Sequence, residues 1–402
     1  MSALEVTLAA LARHLVAIPE CDSTAIFDSS FLAQVPAPQI EGLLQRLVQQ
    51  LGNTTGHEIL ARLPNHAARV RWTFERGCHI DGMVAVSEKP PHKIVFLNFG
   101  LPTRADDSWT AIERAVGTLA GQSTFAICDL SDGAVLASVE PDLTLGSGSI
   151  SKLLIFSTLL AQIAAGQRRW DEVIVLQSRH LSAPSGIMHS WPVGSPLTLH
   201  TAAVLLLLMS DNTSADLLLD QLGRANTEAG MDAIGVGSFP RSRPFFSTRG
   251  LFHLVVAPAE VQAAYCAAGE TQRRALLAEA ESKQPQMGDQ TTEMWPEGFD
   301  WYFSAHEVCR VLGFIRHQVA RDPVGKAIFG INPSGIASEQ WSFVGYKGGS
   351  SPGRLALSAL LEDKDGHGFA VCLINNTTPE TLNLEACATL IKRATDLALV
   401  RR

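Results

Sequence analysis

Strand-like segments bracket a long helical stretch in the later part of this chain, and that layout restricts the fold more than any single motif does. Ser123 to Asp129 and Ala134 to Val139 read as a hairpin around Ser131-Asp132-Gly133. The strand pattern returns at Ser342 to Lys347, Arg354 to Leu361 and Gly368 to Asn375, the last two joined by Asp363-Lys364-Asp365-Gly366. Between them the periodicity is mostly helical, with a looser region from Ala225 to Gly250, and a last helix is predicted from about Glu380 to Val400. A sheet drawn from both ends of a segment, with helices between, is a layered α+β design. It brings Lys347 back towards a serine almost two hundred residues earlier.

The first part of the chain reads as a unit of its own. A helix over Ala3 to Val16 is followed by a second from Gln39 to Leu51, stopped by Gly52. Arg69 to Phe74 alternates polar and apolar, and two further strands, Gly82 to Ser87 and Lys93 to Phe99, flank the Lys89-Pro90-Pro91-His92 turn. Gly100 to Asp107 is the expected seam, giving an α+β domain over 1–103 and a second over 106–402, which opens with a helix from Ser108 to about Ala120.

Composition narrows the function classes. Across 402 residues, 46% are hydrophobic and 18% charged, the balance of a folded, water-soluble protein. The net charge of -8 is spread along the chain, and Arg241/Arg243 and Arg273/Arg274 are too small to track a phosphate backbone, so no nucleic-acid partner is expected. The longest apolar stretch, near Ala202 to Met209, is far short of the roughly 20 residues that cross a bilayer. Seven scattered cysteines without Cys-x-x-Cys spacing suit reduced thiols, and the N-terminal stretch reads as an amphipathic helix rather than a secretory signal, so a cytoplasmic location is expected. No histidine spacing suggests a ligand set, so neither metal nor cofactor is expected.

Three short motifs carry the chemistry. Ser149-Ile150-Ser151-Lys152 heads an apolar helix through Leu153, Phe156, Leu160 and Ile163. A serine hydroxyl needs a base, and residues three apart on a helix share a face, so Lys152 is placed to reach Ser149. A lysine acts as base only if burial or nearby positive charge depresses its pKa, and Lys347 could supply that charge. Ser210-Asp211-Asn212 follows an apolar helix, Thr198 to Met209, where Ser210 could pass a proton to a leaving group. In Lys347-Gly348-Gly349 the glycines let a substrate lie against the strand. Each motif alone also reads blandly, as a helix cap, a turn cluster and a strand end. Together they differ, because none of the other seven lysines has a serine three places before it.

In this order the motifs resemble the Ser-x-x-Lys, Ser-Asp-Asn and Lys-Thr-Gly set of class A β-lactamases and penicillin-binding proteins, over residues 106 to 402. The 61-residue separation of Ser149 and Ser210 is also similar to that superfamily's. The resemblance implies a β-lactamase-like serine hydrolase domain, an antiparallel sheet with a helical subdomain. It makes Ser149 the acylated nucleophile, Lys152 its base, Ser210 the proton relay, Asn212 a substrate contact and Lys347 an aid to catalysis and recognition. Gly348 and Gly349 would line the substrate, and the Ser149 and Ser350 N–H groups would form the oxyanion hole. Two departures stand out: glycine replaces threonine at 348, and no Glu-x-x-Leu-Asn follows the second motif around Pro240 to Gly250, where a class A enzyme has its deacylating glutamate.

Nearly the whole chain, including the Phe245-Phe246-Ser247-Thr248-Arg249 stretch and the long helical insertion before Ser304, resembles the two-domain, cephalosporin-esterase-like branch linked to clavulanic acid biosynthesis, in which a steroid-isomerase-like (nuclear-transport-factor-like) α+β domain precedes a hydrolase domain lacking that glutamate. This implies an esterase acting through an acyl-enzyme on a small-molecule ester or β-lactam, a cephalosporin 3'-acetyl ester being one candidate, with weak β-lactam cleavage. The alternatives are a β-lactam-binding sensor that acylates without turnover, a class A β-lactamase, and a D-alanyl-D-alanine peptidase. Trp301-Tyr302-Phe303, ahead of a Ser304-x-x-Glu307 capping box, would either wall the cleft or pack in the core.

Overall fold

The computed structural model describes residues 3–14, 23–104, 106–240, 242–283, 295–331 and 341–400. The chain divides into two compact units, Met1–Ser108 and Trp109–Arg402. Val16, Cys21 and Arg241 lie outside the described residues.

In the first unit, helices α1 (Ala3–His14) and α2 (Ala37–Leu51) accompany an antiparallel sheet. Its strands β1 (Thr54–Leu63), β2 (Ala67–Phe74), β3 (Cys78–Val86) and β4 (Ile94–Phe99) pair in sequence order, and β5 (Thr103–Arg104) pairs with β3. Gly52 ends α2 at φ +81°, a conformation open to glycine without steric cost. Val70, Trp72, Phe74, Ile80 and Val84 point to one face and meet Leu44 and Leu47 of α2 and Leu8 of α1. Strand β1 was absent from the sequence reading. It is a sheet edge with register shifts after Thr54 and Ile59, and none of its residues is buried, so it shows no apolar alternation.

The second unit builds its main sheet from both ends of the segment. Strands β6 (Gln122–Asp129), β7 (Val135–Val139), β8 (Phe343–Ser351), β9 (Arg354–Glu362) and β10 (Gly368–Asn376) lie in the order β8-β9-β10-β6-β7, all antiparallel. Alternation splits the neighbours along β6. Phe125 and Ile127 pack with Ile112 and Val116 of the helix Trp109–Val116 and with Leu390 and Ile391 of the last helix, Leu384–Val400. Ala126 and Cys128 face the opposite core, with Val308 and Leu312 of the helix Ala305–Val319. That second core also holds the helix Lys152–Ala164, whose first nine residues are all buried, as a helix apolar on every side requires.

Several boundaries differ from the sequence reading. The first helix of this unit stops at Val116, four residues short, where the chain turns through Gly117. The last helix begins at Leu384 rather than near Glu380, because the Asn383 side chain accepts from the Ala386 N–H and caps it there. The expected loose region contains two helices, Arg224–Ile234 and Thr248–Val255. The first of these buries only Thr227, Glu228 and Met231, too little apolar surface to show a helical stripe. The Ser304–Glu307 capping box is formed.

Candidate active site

Ser149 stands in a short 3-10 turn, Gly148–Ser151, and the α-helix begins only at Lys152. The sequence reading, which opened the helix at Ser149, is corrected on this point. Gly148 has φ +54°, and its N–H donates to the Asp300 carboxylate at 2.8 Å. Asp300 in turn takes a hydrogen bond from Arg354 at 2.9 Å, and the Ser147 hydroxyl donates to the Trp301 carbonyl at 2.8 Å. The turn is therefore clamped by a buried ion pair. Burial raises the Asp300 pKa, against the opposing pull of Arg354 and the N–H groups of Gly148 and Trp301.

Strand β8 runs against this turn. A Cβ at Gly349 would lie 2.1 Å from the Ser147 carbonyl oxygen and 2.6 Å from the Ser149 nitrogen, so only glycine permits the approach. Ser350 follows it at the surface, its backbone close to Gly148.

Ser210 is reached by the loop after the helix Leu199–Leu208, at φ +53°, a left-handed conformation that residues with side chains seldom adopt. Asp211 caps the next helix, Asn212–Leu222, through the Ser214 N–H, and also accepts from Ile187 and Met188. Its carboxylate ties that helix to the 182–190 loop. Asn212 is buried, with its carbonyl oxygen 2.7 Å from the Lys152 ammonium and its amide donating to the Ala183 carbonyl.

The two lysines converge on one hydroxyl. Lys152 Nζ donates to the Ser210 carbonyl, to Ser210 Oγ at 3.2 Å and to Asn212 Oδ1. Lys347 Nζ donates to Ser210 Oγ at 3.0 Å and to the Gly348 carbonyl. Both are nearly inaccessible, Lys152 at 1% and Lys347 at 2% exposure. Burial lowers the Lys152 pKa to about 7, while Asp211 and Asp216 pull the other way. Lys347 falls well below its usual value through burial and then through the charge of Lys152. The repulsion between two neighbouring ammonium groups is mutual, so each lysine favours the neutral form of the other. Lys152 also does not hydrogen-bond to Ser149, as an ammonium has three N–H donors and three oxygens already take them.

Above the lysines lies a cavity of about 450 Å³. Ser149, Ser210, Asn212, Gly348, Gly349 and Ser350 line one part of it, so these predicted positions share one cleft. The facing part is formed by Phe252, Trp295, Trp301, Tyr346, Leu355 and Leu357. Trp301 both walls the cleft and packs in the core, and Phe303 packs in the core alone. Ser149 Oγ has no hydrogen-bond partner among the described residues.

Sequence reasoning missed the supports of this cleft. Asp300 and Arg354 lie far from Ser149 in the chain and carry no motif. Asp216 is buried, its pKa raised to about 6 by desolvation, and it accepts from the Thr248 and Arg249 N–H groups. The Thr248 hydroxyl also reaches the Asn212 carbonyl, fixing the helix that carries Asn212. Its place four residues after Asn212 was the available signal, an acidic residue inside an apolar helix.

Comparison with known proteins identifies the architecture. A family model described as the beta-lactamase enzyme family matches residues 108–262. Among solved structures, a beta-lactamase from Sphaerobacter thermophilus DSM 20745 aligns over 73% of this chain and 98% of its own, at 16% identity and a TM-score of 0.52. One from Chitinophaga pinensis DSM 2588 covers 72% of this chain and 97% of its own, at 17% identity and a TM-score of 0.51. A structure titled PBP-A covers 74% and 99%, at 12% identity and a TM-score of 0.50. No curated protein matches. The second unit has a β-lactamase-like α+β fold, and at these identities the likeness concerns the fold alone.

Proposed function

We propose that this chain is a serine hydrolase that forms an acyl-enzyme at Ser149 and hydrolyses small-molecule esters, with weak β-lactam cleavage. The family-model match and the shared fold support the broad class. The observation that carries the reading is the pair of buried lysines meeting at Ser210 Oγ beneath a cleft onto which Ser149 opens.

Lys152 is the base. With its pKa near 7, a large share of molecules at neutral pH hold it as an amine, which has two N–H bonds and one lone pair. One of the three hydrogen bonds it makes as an ammonium is then given up, and the lone pair turns to Ser149. Ser149 Oγ bonds to the ester carbonyl carbon as its proton passes to Lys152 Nζ, and the carbonyl oxygen becomes an oxyanion beside the Ser149 and Ser350 N–H groups. Ser210 accepts from both lysines, so its own O–H proton points elsewhere, towards the departing alkoxide. The carbon–oxygen bond breaks, Ser210 protonates the departing alkoxide to the alcohol, and a lysine restores the Ser210 proton. Water then adds to the acyl carbon, gives its proton to Lys152, and the acid leaves as Ser149 regains its hydrogen. Asn212 and Lys347 hold Lys152 and Ser210 in place, and Gly348 and Gly349 line the path of the substrate.

No carboxylate lines the cleft among the described residues, which favours one second reading, a protein that acylates and stays acylated. Intact mass after incubation with a simple acetyl ester and with a cephalosporin bearing a 3'-acetyl group separates the two. Ester turnover with no persistent adduct on the parent, lost in Ser149→Ala, supports the hydrolase. A stoichiometric adduct without turnover supports the trap. Identical behaviour of parent and Ser149→Ala refutes both.

For residues 1–103 the proposal is a steroid-isomerase-like domain without retained catalysis, on the support of its helices and antiparallel sheet. The buried free thiols at Cys128, Cys309, Cys372 and Cys387 favour a reducing, cytoplasmic setting. Among the described residues no helix is long and apolar enough to cross a membrane.

A further inference from the structure

We infer that the cleft is built for an uncharged ester with an apolar group lying against its aromatic wall, and that it selects against esters carrying a carboxylate. This rests on the hydrolase reading above and narrows its substrate class.

The first observation is the charge of the lining. Among the described residues around the cavity, no side chain is ionisable to a cation or a carboxylate; the polar groups are serine hydroxyls, the Asn212 amide, the Tyr346 phenol and the indole N–H groups of Trp295 and Trp301. The nearest cations, Lys347 and Arg354, are buried and do not line the cavity. Lys347 is buried and donates to Ser210 Oγ and the Gly348 carbonyl. Arg354 is 5% exposed and spends its guanidinium on Asp300 and on the Trp295 carbonyl. A carboxylate entering this cleft would lose its water and meet no cation among the described lining side chains.

The second observation is Tyr346. A Cβ at Gly348 would come within 2.6 Å of the Tyr346 oxygen, so the phenol takes up the space that a threonine at 348 would fill. Its pKa is raised by burial, which keeps it a neutral O–H group, and among the described residues that oxygen has no hydrogen-bond partner. A neutral phenol therefore stands where the hydroxyl of a threonine at 348 would lie. The third observation is size and surface. A volume of about 450 Å³, walled by Trp295, Trp301, Phe252 and Leu357, accommodates an aryl or medium-chain alkyl group and offers it apolar contact.

The test compares two esters of equal length, 4-nitrophenyl pentanoate and 4-nitrophenyl hydrogen glutarate, each rate divided by its spontaneous hydrolysis. With the full chain, kcat/KM for the neutral ester should exceed that for the anionic one by about 10- to 100-fold, the usual effect of an unmatched polar group in a site. Leu355→Lys, which sets a cation on the cleft wall, should shrink that ratio about tenfold by accelerating the glutarate. Tyr346→Phe should slow the neutral ester about three- to tenfold. A ratio within about threefold of unity, or reversed, in the parent protein overturns the inference while leaving a Ser149-dependent hydrolase intact. If neither ester is turned over and Ser149→Ala matches the parent, the hydrolase reading fails and the inference with it.

Discussion

The two units bury very different things. Among the described residues of Met1–Ser108, the buried set is apolar except for Thr7, Ser23 and Asp107. The second unit buries Lys152, Lys347, Asp300, Arg354, Asp211 and Asp216, most of them around one cleft. A buried charge is expensive unless it is matched, and these are matched unequally. Asp300 and Arg354 neutralise each other, whereas the two lysines face shared oxygen acceptors and one another. The first pattern is what stability alone requires; the second gives up stability to hold an amine near neutrality.

The largest expected effect breaks this contrast at its sharpest point. Lys152→Met should lower ester turnover by about 10³- to 10⁴-fold, and the unfolding transition should stay or move upward, because an unmatched buried charge is gone. A measured loss of both activity and stability would make Lys152 a structural residue. Asp300→Ala should instead destabilise the second unit by about 3–5 kcal/mol, leaving Arg354 buried without a partner, with activity falling in parallel in chemical denaturation and rate assays. In the first unit, Trp72→Ala should cost a similar ~3–5 kcal/mol in its unfolding transition, with turnover per folded molecule retained.

The pH profile sharpens the comparison with a smaller effect. The proposed mechanism needs the Lys152 amine, so kcat/KM should fall as pH drops through about 7 and level off above it. An ordinary lysine would keep the rate climbing towards pH ~10. Linkage gives a matching sign. Between about 7 and the usual lysine value the unfolded chain binds more protons than the folded one, so the unfolding free energy of the second unit should rise with pH across that window. The smallest effect returns to the first unit. Gly52→Ala forces a side chain into φ +81°, with a Cβ 2.9 Å from Glu75, and should cost about 1–2 kcal/mol with turnover untouched.

What was legible in the sequence follows from how each feature is encoded. The motifs are contiguous, and the strand segments on either side of the helical stretch are long enough to show alternation, so the meeting of Ser149, Ser210 and Lys347 could be anticipated. The Asp300–Arg354 clamp could not, since it joins two separated residues by contact alone, with nothing periodic to mark either. Strand β1 was hidden by its irregular register and wet faces, and the helix Arg224–Ile234 by its few buried residues. The shifts at the lysines are of another kind: they depend on burial and on neighbours set by the fold, and Asp211 and Asp216 oppose the shift of Lys152.

The pairing of β6 with β10 and the clamp of Asp300 and Arg354 on Gly148 have a consequence for the timing of synthesis. A chain emerging from the ribosome exposes its serine and Lys152 long before residues 300 to 376 are made. Until those follow, the turn has no clamp, Ser210 has only one of its two lysines, and the sheet cannot close. On the proposed mechanism nascent chains are therefore chemically silent, and Ser149 meets its full set of partners only once the last quarter of the protein is made.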